Sequence, residues 1–293
     1  MQIEPCFAGV YDWEISAEER EISIAISYPE GFDPRKVRAV VDTDKFGISV
    51  RYPEQPPIVE GKMYVKPESI AVEINEEKRV MKIVIGVVKN TPHPTLCISP
   101  HPDTKAMDPL SSFIMFTVLS NSQDEKAEKE ALQFLGFGVD AGYVPSLLAS
   151  ASLCQQHPEL QATAIELINI AAERYNSPTA QFQMGMYYLN QMNNPNAAFN
   201  YIEKASRDES LVVARSLLAL MLSPLTNMPS PKKDAKGAVD MFESVIIQKE
   251  EPLVLHELAR LLKNGVGCVK NVERASELNQ KAQKIDSTIP DLE

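Results

Sequence analysis

From Tyr11 to Lys89 apolar side chains recur at every second position, the period of a half-buried β-strand. Tyr11, Trp13 and Ile15 form one such series, Ile22, Ile24 and Ile26 the next, and Val37, Ala39 and Val41 a third. Ile48 and Val50 follow, then Ile70, Val72 and Ile74, and finally Met81, Ile83, Ile85 and Val87. Turn-forming residues separate these runs at Pro29-Glu30-Gly31, Asp42-Thr43-Asp44, Pro53 to Pro57 and Asn75-Glu76-Glu77. Six or seven short strands in so short a stretch predict an antiparallel β-sandwich. Alternation places Tyr11 and Trp13 on one face, which makes them core side chains and not a ligand-stacking pair.

Beyond Asp124 the spacing becomes helical and the chain repeats itself. Ala131, Ala164, Ala198, Ala238 and Ala275 open equivalent stretches at steps of 33, 34, 40 and 37 residues, and seven positions after each stands Gly138, Ala171, Ala205, Val245 or Ala282. Small residues at i and i+7 share a helix face and let a neighbouring helix approach closely. A second series aligns too: Ala180, Met184, Gly185 and Tyr188 match Ala214, Leu218, Ala219 and Leu222, then Val254, Leu258, Ala259 and Leu262. Helix pairs at this period predict a solenoid. The fold class expected is therefore a β domain and an α domain in series: a sandwich over 1–90, a Pro-rich connector over 91–123, helical repeats over 124–285 and a tail over 286–293.

Gly265 and Gly267, in KNGVGCVKNVERA, could be read as a phosphate-binding loop feeding a helix. The preceding LVLHELARLLKN carries helical and not strand spacing, and a Walker Lys-Ser/Thr is missing, so the glycines are expected to cap one helix and turn into the next.

Composition narrows the function. A net charge of -11 and a pI near 5.0 oppose general nucleic-acid binding, whose phosphate contacts need clustered Lys and Arg. No apolar run approaches the roughly 20 residues that span a bilayer, so no membrane partner is expected, and the Met1-Gln2-Ile3-Glu4 start suggests the cytoplasm or nucleus. Cys6, Cys97, Cys154 and Cys268 contain no C-x-x-C pair and read as reduced structural thiols. His93, Cys97, His101 and Asp103 cluster in HPTLCISPHPD, but the spacing fits no standard zinc site, and Pro92, Pro94, Pro100 and Pro102 favour a stiff linker. The acidic pairs Glu18-Glu19 and Glu76-Glu77 fall in expected turns. No nucleophile-elbow, zincin or Walker motif occurs, so neither an enzyme nor a cofactor is expected.

The stretch EPLVLHELARLLKNGVGCVKNVERASELNQKA resembles the Sel-one-like repeat, a relative of the tetratricopeptide repeat, through Leu258, Gly265, Gly267, Asn271, Arg274, Ala275, Lys281 and Ala282. TAQFQMGMYYLNQMNNPNAAFNYIEKAS resembles it through Ala180, Gly185, Tyr188, Ala198, Lys204 and Ala205. In the N-terminal half, Tyr11-Asp12-Trp13 and QPPIVEGKMY, Gln55 to Tyr64, resemble the CS domain of the nuclear movement (NudC) type, although that family's later S-x-W is absent at Ser69-Ile70-Ala71. The resemblance implies a co-chaperone or protein-stability factor. Its partners would be a heat-shock chaperone of the ninety-kilodalton class or unfolded clients, and the alternative is a helical-repeat scaffold for assembling a complex. Oligomeric state stays open.

Polar positions between the apolar ones of each first helix give Gln181, Gln183, Arg215, His256 and Arg260 as candidate partner contacts, with Arg215 and Arg260 suited to an acidic tail. Lys62, Tyr64 and Lys66, beside the family-like segment, are the candidates on the sandwich.

Overall fold

The computed structural model describes residues 11–16, 20–55, 57–88, 93–122 and 124–292. Cys6, the Glu18-Glu19 pair, Pro56, Lys89 and Pro92 lie outside the described residues. The chain divides into two compact units, 1–156 and 157–293.

In the first unit the strands are β1 (Asp12–Ile15), β2 (Glu21–Ser27), β3 (Arg38–Asp42), β4 (Gly47–Arg51), β5 (Val59–Met63), β6 (Pro67–Asn75), β7 (Val80–Val87) and β8 (Cys97–Ser99). They form two four-stranded sheets, β1-β2-β7-β6 and β3-β4-β5-β8, with every pairing antiparallel. The apolar series meet in register, Ile22 opposite Ile85, Ile24 opposite Ile83 and Ile26 opposite Met81. These residues share one core with Ile48, Val50 and Met63 of the second sheet. Turn chemistry holds where expected: Asp42 Oδ1 accepts the N–H groups of Asp44 and Lys45, and Asn75 Oδ1 that of Lys78.

The expected connector over 91–123 is part of this unit. Strand β8 pairs with β5, and it comes this close because Gly61 has no Cβ; one built there would lie 2.6 Å from Cys97 Cβ. His101 lies over Gly47 for the same reason, and the Asp108 N–H donates to the Glu60 carbonyl at 2.7 Å. Asp108 then caps helix α1 (Pro109–Ser120), accepting the Ser111 N–H, with Pro109 in the first helical position where its missing N–H costs nothing. Helices α2 (Glu125–Asp140) and α3 (Val144–Gln155) complete the unit. Leu110, Met115, Phe116 and Leu119 of α1 and Phe134 and Phe137 of α2 pack into the sheet core, which is why the boundary follows α3 and not the prolines.

The second unit opens with a 3-10 turn at Pro158–Leu160. It continues as α4 (Gln161–Glu173), α5 (Pro178–Asn190), α6 (Pro195–Ala205), α7 (Val212–Leu222), α8 (Ala235–Gln248), α9 (Pro252–Asn264) and α10 (Val272–Ile285). Ser177, Asn194, Asp234 and Asn271 cap α5, α6, α8 and α10 by accepting the backbone N–H of the third residue of each helix. Each helix packs on the next. The small-residue ladder lies at these contacts: Ala164, Ala171, Ala198, Ala205, Ala238, Val245, Ala275 and Ala282 are all 0% exposed. Gly185 sets the same closeness on α5, since a Cβ there would stand 2.6 Å from Ile202 Cγ1 on α6. Ala198→Leu is accordingly expected to cost about 1–3 kcal/mol by overpacking. Urea denaturation measures it, and a neutral result would mean that α6 does not turn this face to its neighbours.

Gly265 (φ 68°) ends α9 in the left-handed region and Gly267 (φ 77°) follows in the turn, with the Val266 N–H returning to the Leu261 carbonyl.

Candidate protein-interaction surfaces

Of the polar residues expected on a partner-binding face of the array, Gln183 is exposed, and the other four are engaged within the chain. Gln181 is buried and its Nε2 donates to the Ala172 carbonyl at 3.3 Å. His256 is buried too, with Nδ1 2.6 Å from Asn279 Oδ1 on α10. Arg215 donates to Ser244 Oγ at 2.7 Å, and Arg260 Nη1 spans both oxygens of Glu257 at 2.8 and 3.0 Å. Two of the five, Gln181 and His256, are buried, and for His256 the reason is physical. Helix α9 is buried continuously from Val254 to Ala259, because α8, α10 and the following segment enclose it on several sides, so positions between its apolar residues still face protein.

The enclosing segment is itself informative. After α10 the chain turns at Asp286–Ile289 and runs back along the helix pair, with Ile289 and Leu292 packed against the unit's core. Asn279 Nδ2 donates to the Pro290 carbonyl at 3.2 Å, Gln283 Nε2 to the Ile289 carbonyl at 3.3 Å, and Lys263 Nζ to the Leu292 carbonyl at 3.0 Å. A cavity of about 370 Å³ remains beside it, lined by His256, Arg260, Asn264, Pro290 and Asp291.

On the first unit Lys62 and Lys66 are exposed, whereas Tyr64 is half-buried and stacked on the His93 ring at 4.4 Å. The other members of HPTLCISPHPD are also engaged. His93 Nδ1 lies 3.1 Å from the Thr95 carbonyl oxygen, Cys97 is buried in β8, the Asp103 N–H donates to His101 Nδ1, and Asp103 pairs with Lys45 at 2.6 Å. Among the described residues no three His, Cys, Asp or Glu side chains converge as a metal site. Strand β6 departs from expectation. Val72 and Ile74 lie opposite the fully buried Ile83 and Met81 and point the same way, yet are 41% and 36% exposed because β6 is the last strand of its sheet.

A buried polar cluster escaped the sequence reading. Tyr11 donates its hydroxyl to Asp108 Oδ1 at 2.8 Å and lies 3.1 Å from Ser111 Oγ, which accepts the Cys97 N–H at 3.3 Å. All four residues are buried, so the cluster pins α1 to β8 and to the residue that leads into β1, and does not meet solutes. Burial, with the Asp108 charge adding to it, pushes the Tyr11 hydroxyl and the Cys97 thiol well above their usual ranges, leaving the thiol protonated and a poor nucleophile. The signal that could have located α1 is Asp108-Pro109 ahead of an apolar run, a capping residue followed by proline at the first helical position.

Burial also pushes the Asp108 carboxyl up to about 6, against the hydrogen bonds from Ser111 and Tyr11 that lower it. Its Oδ2 has no hydrogen-bond partner among the described residues. The folded chain thus holds this proton to a higher pH than the unfolded chain. The associated stability is full below about pH 4 and is lost as pH rises through about 6, roughly 3 kcal/mol in all. Asp108→Asn keeps an oxygen for Tyr11 and Ser111 and removes the titration. Relative to the wild type, the variant should gain about that amount between pH 4 and 7 in chemical denaturation. Parallel pH profiles would refute the assignment.

No family model matches the chain, and no curated protein matches it. Among solved structures it is similar to a Sel1 repeat protein from Oxalobacter formigenes, at 23% identity and a TM-score of 0.46, over 61% of this chain and 52% of that one. It is similar to a protective antigen of uropathogenic Escherichia coli with an SLR fold, at 19% identity and a TM-score of 0.48, over 61% of this chain and 38% of that one. It is also similar to the nuclear movement protein from E. cuniculi GB-M1, at 17% identity and a TM-score of 0.24, over 30% of this chain and 98% of that one. The chain thus spans 52% and 38% of the two repeat proteins it resembles.

Proposed function

We propose that the chain is a non-enzymatic scaffold that holds protein partners on its helical array. The observation that carries this is the ladder of buried small residues from Ala164 to Ala282, which makes a stack where each helix packs on its neighbour in sequence. Such a stack is quasi-one-dimensional, and it offers long outer surface instead of one enclosed pocket. A photo-crosslinking residue placed in the full chain at exposed positions Gln183, Met192, Val213 and Leu253 should form defined protein adducts in native lysate. A chain that forms none from any of these positions is not such a scaffold.

A second reading is favoured by the exposed Val72 and Ile74 on edge strand β6. Among the described residues no strand pairs with the outer edge of β6, and a partly apolar edge of this kind can take up an extended segment of another chain, which suits a co-chaperone that binds unfolded clients. The full chain would then suppress aggregation of a thermally unfolding model enzyme. A Val72→Glu, Ile74→Lys variant of intact fold should lose that suppression, and equal suppression by both chains would remove this reading.

A further inference from the structure

We infer that the helix pair α9 and α10 forms a docking groove for a non-helical peptide, and that residues 286–292 occupy it in cis. The partner it fits is a segment in which two apolar residues flank an acidic one. This site deepens the scaffold reading and rests on it.

Three observations support the groove. First, the helices read the segment's backbone. Asn279, Gln283 and Lys263 each donate to a main-chain carbonyl, of Pro290, Ile289 and Leu292 respectively, and bonds to main chain serve a peptide of another sequence equally well. Secondly, the Asn279 amide is fixed in advance. It is buried and bonded to His256, itself buried on α9, so two polar side chains are held inside the unit with one amide donor aimed at the segment. A face that needed only an apolar lid would not carry this arrangement. Thirdly, the segment does not fill the site. The cavity of about 370 Å³ lined by His256, Arg260, Asn264, Pro290 and Asp291 leaves room for larger side chains.

The same contacts define the partner's chemistry. Ile289 and Leu292 supply the apolar anchors against the unit's core. Between them Asp291 Oδ1 accepts from Gln283 Nε2 at 2.9 Å, while the Arg260 guanidinium borders the open space. A longer acidic side chain at that position would reach toward Arg260 and use the volume that Pro290 and Asp291 leave empty. A competitor must displace the tethered segment, so its apparent affinity is reduced by the fraction of chains in which the groove is open.

The test uses the full chain and a fluorescein-labelled peptide with the sequence of residues 285–292. An Ile289→Ser, Leu292→Ser variant releases the tethered copy, and it should bind the peptide at least about tenfold tighter than the wild type does. Adding Asn279→Leu should reverse that gain, and a peptide carrying the two serines should not bind. If the released variant does not fold, amide exchange on the wild type serves instead: excess peptide should deprotect residues 286–292. A folded variant that ignores the peptide would overturn the inference and leave the segment as a fixed cover on α9 and α10. So would a variant that only dimerises in light scattering, or unchanged exchange. Cross-links from Gln183 that persist alongside such a failure would leave the wider scaffold reading standing. Peptide binding without any such cross-links would confine interaction to this groove.

Discussion

Gly267→Ala should destabilise the helical unit by roughly 2–5 kcal/mol, combining about 1–2 for a left-handed residue with about 1–3 for overpacking. Both contributions can be located. The φ of 77° at Gly267 lies where side-chain-bearing residues are strained, and a Cβ there would run into the Ala235 carbonyl and stand 2.8 Å from the Lys236 backbone nitrogen. Those atoms belong to the first turn of α8, whose backbone cannot rotate aside as a side chain could. The neighbouring glycine supplies the control. Gly265 has a similar φ of 68°, but a Cβ on it would stand 3.1 Å from the Lys270 Cβ and 3.5 Å from the Lys270 backbone, so Gly265→Ala should show little beyond the conformational cost of about 1–2 kcal/mol. Urea denaturation of both variants gives the comparison. Equal losses would mean that the turn does not bear on α8.

That contrast also indicates what could be read from the chain alone. The turn role of the two glycines was legible because the helical spacing before them excludes a strand. That Gly267 also seats α8 was not, because Ala235 is thirty-two positions away and carries no local mark of the contact. The repeat ladder was legible for a related reason: close helix contact demands small residues at fixed intervals, so Ala198 and Ala205 declare their face in any one repeat. The main strands were legible where one face is core, as with Ile22, Ile24 and Ile26 against Met81, Ile83 and Ile85.

Legibility failed where a surface expected to meet water is covered by distant chain. Val59-Glu60-Gly61-Lys62-Met63 does not alternate as a strand with one wet face should, because Glu60 is buried beneath the segment that carries Thr104 and Asp108. Strand β8 is too short, at 3 residues, to show any period. The candidate contacts Gln181 and His256 were chosen as polar residues on a helix, and the neighbours that bury them lie on other helices. Val72 and Ile74 erred in the opposite direction, since alternation reports which way a side chain points and not whether anything lies beyond the sheet's edge.

The burial of Glu60 gives the second large expectation. Arg51→Met should destabilise the first unit by about 3 kcal/mol, the lower end of the range for removing one partner of a buried ion pair. The Glu60 side chain is 0% exposed and receives the Arg51 Nε, while the Arg51 side chain remains 42% exposed. Removing the guanidinium therefore strands a carboxylate in the interior, not a charge at the surface. The Thr104 hydroxyl and, at 3.4 Å, the Ser49 hydroxyl still donate to it, which places the loss at the lower end. Replacing both residues, Arg51→Met with Glu60→Met, removes the stranded charge and should recover most of the loss, so the cycle should show a coupling of about 2 kcal/mol. Moderate salt should change that coupling little, because one member of the pair is shielded from mobile ions. Additive single losses, or a coupling that vanishes in salt, would show that Arg51 and Glu60 behave as an ordinary surface pair and that the 101–108 segment does not seal this face of the sheet.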